Sequence, residues 1–257
     1  MRRSCCKSGR KTAAAAAALL LSVGLADAAE VTLISVGGVK QALDKIVADY
    51  TKETGNAVKY TVGSPLAVAK KLADGEVFDV VVQSAPAMDD YAKGGGVNGA
   101  TRVNAARGGI GMAMRKEATP PDISTPEAFK QALTDAKSIA MTDTAMPNGS
   151  GILAQRIFTA AGVLDAIKPK LQVVGLDPGQ EQIAKGEIEM GFFNISEIRP
   201  FVKFAGAVPP PLQQYTVYDA AVTSKATAGE AAAALVKMIA SPGAAERWKA
   251  AGMEPAH

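Results

Sequence analysis

Four short turns in this chain carry the residue types that hold an anion without a cation. The fullest is Asn148-Gly149-Ser150-Gly151, which opens a helical run bearing Ile152, Leu153, Arg156, Ile157 and Ala160. Its glycines let backbone approach a guest closely, and its hydroxyl stands where unpaired N–H groups and the helix dipole favour negative charge. Gly37-Gly38 follows the β-rich run of residues 31–36, Ser64-Pro65 opens a second helical run, and Asn194, with Ser196 beyond it, follows the apolar run of residues 190–193. Each also has a purely structural role open to it: a tight turn for the glycines, an N-cap for Ser64, a turn and cap for Asn194 and Ser196. Arg107 lies inside an extended segment; it would clamp a carboxylate bidentately if it faced a cleft, and is a solvated surface arginine if it does not. Thr142 and Asp143 end a strand, and Asp143 would repel an anion, so its expected role is to fix its own loop.

Other chemistries are excluded by composition. The two cysteines, Cys5 and Cys6, precede an apolar run near the start, and the single histidine is His257. Beyond the start of the chain there is no thiol nucleophile, Cys/His zinc site, Ser-His-Asp triad or disulfide framework. Acid–base or oxygen-ligated metal chemistry would have to use Asp79, Asp143, Asp177 or Glu197, which no motif pairs.

These turns need elements to position them. Arg2, Arg3, Lys7, Arg10 and Lys11, the apolar run of residues 12–25 and Ala26-Asp27-Ala28 predict a cleaved signal peptide over residues 1–28, and hence a periplasmic protein. Cleavage removes five of the 28 Lys and Arg and one of the 25 Asp and Glu, leaving 23 against 24, with no basic footprint for nucleic acid. The 229 residues that remain (257 less 28) suffice for two α/β lobes. Residues 31–36 with Val39, Ala42, Leu43, Ile46, Val47 and Tyr50 form a βα unit, residues 57–62 with Leu66, Ala69 and Leu72 a second, and residues 78–82 a strand apolar on both faces. Such alternation predicts a parallel sheet covered by helices. Residues 102–114 read as a crossing segment into a second α/β lobe, and Val208-Pro209-Pro210-Pro211 as the return into a strand at residues 215–222. The expected lobes are 29–106 with 214–257, and 107–213. Two crossings make a hinge. Phe192 and Phe193 point to opposite faces of one strand, and Tyr215, Tyr218 and Trp248 read as packing.

The phrases LISVGGVKQALDKIVADYTKETGNAV, GSPLAVAKKLADGEVFDVVVQS, MTDTAMPNGSGILAQRIF, EMGFFNISEI and SPGAAERWKAAGMEP, in this order, resemble the molybdate-binding-protein-like branch of the type II periplasmic solute-binding proteins. The resemblance implies a monomer of two doubly wound α/β lobes that closes on a small anion, needs no cofactor or catalysis, and delivers its ligand to an ABC-type permease. It implies ligand contacts at Gly38, Ser64, Ser150 and Asn194, where the family usually places a serine, a serine, a small residue giving its amide, and a tyrosine. Gly38 and Asn194 depart from that pattern. Molybdate or tungstate is the family's ligand, and a small carboxylate is the alternative if Arg107 enters the cleft. The competing readings are an exported enzyme using the carboxylates above and a sensor partner that presents its ligand to a receptor.

Overall fold

The computed structural model describes residues 28–145 and 149–256, together with Met1. Apart from Met1 and Ala28, the expected signal peptide lies outside the described residues, as do Asn148 and His257. The chain opens with β1 (Glu30–Val36), a 3₁₀ turn (Gly37–Val39), α1 (Lys40–Thr54), β2 (Ala57–Gly63), α2 (Pro65–Ala73), β3 (Val80–Ser84) and α3 (Ala85–Lys93). The long β4 (Val103–Met114) then leads to α4 (Pro126–Asp135), β5 (Ile139–Met141), α5 (Ser150–Ala160), α6 (Leu164–Ile167), β6 (Leu171–Val173), α7 (Leu176–Lys185) and β7 (Met190–Asn194). A 3₁₀ turn (Ile195–Glu197), β8 (Lys203–Ala207), β9 (Tyr215–Val222), α8 (Gly229–Ile239), α9 (Ala245–Ala250) and β10 (Met253–Pro255) complete it. Among the described residues no helix is long and apolar enough to cross a membrane.

The strands run in the order β2-β1-β3-β9-β4-β7-β5-β6, with β8 and β10 also paired to β4. Two parallel trios, β2-β1-β3 and β6-β5-β7, stand at the ends. The sheet is mixed, unlike the purely parallel one the alternation predicts, because the crossing strands enter antiparallel: β9 against β3 and β4, and β4 against β7 and β8. β4 serves both ends, its first half lying beside β9 and β10 and its second beside β7 and β8. Where it passes from one to the other, Ile110 N donates to Gln213 Oε1 at 2.9 Å and Gln213 Nε2 donates to Ile110 O at 2.9 Å. A side chain there substitutes for a strand partner, so the ladder continues through the crossing without an unpaired amide.

Two apolar cores sit apart. The first gathers α1, α8 and α9 onto β1, β3 and β9 around Leu33, Ile46, Tyr50, Val81 and Trp248. Its large polar tips are paired, Tyr50 Oη with Ala231 O at 2.8 Å and Trp248 Nε1 with Ile239 O at 3.0 Å. The second centres on Phe192, which meets Phe129 and Phe158 edge-on at centroid distances of 5.7 and 5.2 Å. Phe193 turns to the opposite face, against Ile183, Ile188 and Val202, as strand alternation requires. Asp79 ties the first core together, accepting from Thr32 N at 2.8 Å, Thr227 N at 2.6 Å and Ala228 N at 2.9 Å. Burial pushes its carboxyl up, but the hydrogen bonds from Ala228, Thr32 and Thr227 outweigh it and hold the group below the usual range.

Candidate ligand-binding cleft

All six strands of the two parallel trios end at one crevice, the place where open α/β sheets bind ligands. A cavity of about 400 Å³ lies there. From the side of the first core it is lined by Val36, Gly37 and Gly38 after β1, Gly63, Ser64 and Pro65 after β2, Gln83 and Ser84 after β3, and Thr216 and Tyr218 on β9. From the second it is lined by Thr142 and Asp143 after β5, Gly149 and Ser150 opening α5, Val174, Gly175 and Leu176 opening α7, and Asn194 and Glu197 after β7. None of these is a lysine, arginine or histidine. The positive potential comes from N–H groups at the starts of α2, α3, α5 and α7, each of which opens on the cavity.

The sequence-derived residues divide cleanly. Gly37, Gly38, Ser64, Gly149, Ser150 and Asn194 line the cavity. Gly151 stands behind them: a Cβ there would lie 2.7 Å from Asp143 O and closer still to Thr142 O, so glycine is needed to seat α5 against the end of β5. Ser64 is an N-cap, accepting from Ala67 N at 3.2 Å, as its position before Pro65 suggests. Ser150 Oγ is paired with Thr142 Oγ1 at 2.9 Å. Asn148 is outside the described residues.

Arg107 is not among the cavity residues. Its Nε donates to Glu254 Oε2 at 2.7 Å, and its guanidinium stacks 4.4 Å from the centre of the Tyr215 ring. The cause is β10, which places Glu254 directly opposite Arg107 on the outer face. The guanidinium clamp that would have favoured a carboxylate is therefore absent from the cleft.

Gly38 also has a different cause from the one the sequence suggests. Neither Gly37 nor Gly38 is among the glycines with left-handed backbone. Space is the constraint at Gly38, where a Cβ would lie 2.6 Å from Tyr218 Oη. Tyr218, read from sequence as packing, thus sends its hydroxyl to the place where a side chain at position 38 would begin. Burial, with the nearby Glu197 carboxylate, pushes this phenol well above its ordinary range, so it stays protonated and can donate.

Glu197 is the second feature that residue spacing does not reveal. Asn194 Nδ2 donates to its Oε2 at 2.7 Å, and its Oε1 faces the glycine turn, 3.5 Å from where a Gly37 Cβ would stand. Across the same gap Ser196 Oγ donates to Gly38 O at 2.7 Å, fixing the 3₁₀ turn of Glu197 against the start of α1. Burial raises the Glu197 carboxyl above its ordinary value, partly opposed by the Asn194 hydrogen bond and by Arg199, and reinforced by Asp177. Asn194 Oδ1 and Thr216 Oγ1 are buried at the cavity wall with no partner among the described residues. Such orphaned groups are expensive unless a guest satisfies them. Of the four carboxylates the sequence offered for catalysis, Asp143 and Glu197 line the cavity, Asp79 is buried in the first core, and Asp177 pairs with Arg199 at 2.7 Å.

The chain belongs to the bacterial extracellular solute-binding protein family, which it matches over residues 31–254. Among curated proteins it is 34% identical to an aconitate isomerase of a Pseudomonas species, over 95% of this chain and 96% of that one. It is 28% identical to the molybdate-binding protein ModA of Azotobacter vinelandii, over 88% of this chain and 90% of that protein. In fold it is similar to the substrate-binding domain of a putative molybdenum ABC transporter from Clostridium difficile, with a TM-score of 0.76 at 16% identity, covering 90% of this chain and all of that domain. The fold is that of a type II periplasmic binding protein of the ModA-like kind.

Proposed function

We propose that the protein is the exported, periplasmic solute-binding component of an ABC-type importer and that its cleft captures a small di- or tricarboxylate, which the two halves enclose by moving about β4 and the return segment. One observation carries this: six strand ends and four helix starts converge on a single crevice that contains no cation. Amide dipoles then supply the attraction, and the ligand's preference for the enclosed form drives closure. Substrate-binding proteins of this family deliver a small ligand to an ABC permease.

Carboxylate is favoured over a metal oxyanion by size. At roughly 30 Å³ per heavy atom, a tetrahedral oxyanion needs at most about 150 Å³ and a tricarboxylate of about twelve heavy atoms about 360 Å³. The cavity of about 400 Å³ has room for the second and is far larger than the first needs. The relative of 34% identity is named for a tricarboxylate. A thermal-shift panel tests the reading: ligand at a hundred times its Kd adds about 2.7 kcal/mol, worth about 5–10 °C in a protein of this size. Citrate, aconitate or a dicarboxylate is expected to give that shift and molybdate, tungstate and sulfate none; a shift with molybdate alone rejects the carboxylate.

A second reading is favoured by that same relative and by Glu197, a desolvated carboxyl inside an anion site. Here the bound polycarboxylate is isomerised as well as held. Incubation with cis-aconitate, followed by chromatography for the trans isomer, separates enzyme from pure receptor.

A further inference from the structure

Glu197 is out of place in a cleft that only captures anions. Its one side-chain hydrogen bond, from Asn194 Nδ2 at 2.7 Å, would be accepted equally well by the amide oxygen of a glutamine, without repelling the guest. Its position is nonetheless enforced, because Ser196 Oγ holds the same 3₁₀ turn to Gly38 O at 2.7 Å. Among the described residues Oε1 takes no hydrogen bond and faces the glycine turn at the cavity. The groups around it leave it without a committed cation: Arg199 is engaged by Asp177 at 2.7 Å, Tyr218 is a neutral phenol, and Asp143 lines the cavity from the β5 side.

We propose that Glu197 is a catalytic residue, the base that removes a carbon-bound proton from an unsaturated polycarboxylate in the cleft and the acid that returns it, while the Tyr218 hydroxyl donates to the ligand oxygen that gains charge. The proposal rests on the isomerase reading above. The bond that breaks is C–H on a methylene between a carboxylate and a carbon–carbon double bond. Its proton passes to Glu197 Oε1, and its electron pair spreads over the three-carbon unit onto the carboxylate. Returning the proton to the far carbon moves the double bond by one position, or changes its geometry if rotation intervenes. The ligand gains and loses one proton, so no oxidant, reductant or cofactor is needed. A carboxyl raised toward neutrality by burial suits a group that must both take and give the proton. Tyr218 Oη, fixed at the first glycine turn, supplies donation of the oxyanion-hole kind.

Deuterium exchange provides the test. The protein and its Glu197→Gln and Tyr218→Phe variants are incubated with cis-aconitate in D₂O and followed by proton NMR, with thermal shifts recorded in parallel. The wild type is expected to replace methylene and vinyl protons with deuterium, and Glu197→Gln to do so at least about 100-fold more slowly with an equal or larger aconitate shift. Exchange by Glu197→Gln at the wild-type rate overturns the role of Glu197 and leaves the isomerase reading intact. A wild type that exchanges nothing overturns both. The wild-type pH profile checks the same point should the glutamine variant not fold: exchange must fall about tenfold per pH unit on the acid side of the carboxyl's titration, and a flat profile refutes the assignment.

Discussion

Substituting Gly38 by alanine tests how the cleft is built. The new methyl would lie 2.6 Å from Tyr218 Oη and 3.3 Å from Cζ of the same ring. Ordinary carbon–oxygen contacts fall at about 3.3–3.6 Å, so roughly 0.7–1 Å must be found. Neither side yields easily: Tyr218 is paired with Ser84 on β3 and Ala106 on β4, and Gly38 O is held by Ser196. Overpacking of this kind costs about 1–3 kcal/mol, or a melting temperature lower by about 4–8 °C for a loss near 2 kcal/mol. Removing the hydroxyl should restore most of it, because the remaining 3.3 Å contact needs only a small adjustment. A double-mutant cycle of Gly38→Ala with Tyr218→Phe, measured by urea unfolding, should therefore give a coupling of about 1–2 kcal/mol. Additive losses would show that the phenol is not what demands glycine at position 38.

Ser150→Pro places proline at the first position of α5, where a helix tolerates it, and removes an amide facing the cavity; the protein should fold and lose its ligand-induced thermal shift, and full retention removes this loop from the site. Arg107→Ala should leave ligand shifts unchanged and cost no more than about 1 kcal/mol, since the pair with Glu254 is half-exposed and outside the cleft; lost binding would contradict that placement. Asp79→Asn should cost about 2–3 kcal/mol near neutral pH, because donors that meet both carboxylate oxygens would then face an NH₂ group. The folded carboxyl titrates below its unfolded value of about 3.9, so its stabilisation is complete above that pH and is lost as pH falls through the lower folded value. The gap between wild type and variant should accordingly narrow below about pH 4, as followed by unfolding at several pH values.

The parts of this site legible in the sequence are those whose residue types are constrained twice. Gly149 and Ser150 must start α5 while Gly151 clears the end of β5, and Ser64 must cap α2 before Pro65, so local rules pick them out. Thr216 and Tyr218 were hidden because β9 is buried along most of its length, and alternation says only that they share a face. Gln83 and Ser84 were lost with α3, whose start lies directly at the end of the apolar β3 and whose proline signal is Pro86. The place of Arg107 stays open in the sequence for want of β10, three residues long and paired across 147 positions of sequence. Long-range pairing of so short a strand leaves no periodic trace. At Gly38 the constraint comes from a tyrosine 180 positions later and not from the residue's own backbone angles, so the turn alone does not reveal it.

Capture and catalysis use this frame in the same way up to one atom. Both need the six strand ends, both gain from a cleft that trades bulk water for fixed amide dipoles, and both let the guest's binding energy draw the halves together. They part at the Glu197 carboxyl. To a receptor it is a cost, a second negative charge beside the ligand or a proton that must be taken up before binding, and a glutamine there would bind at least as well at every pH. To an isomerase it is the group without which no carbon-bound proton moves. Affinity and exchange in the Glu197→Gln variant must then change in opposite directions if the carboxyl is kept for chemistry. Neither should change if it is kept only to hold Asn194 in place, since a glutamine oxygen accepts the same hydrogen bond.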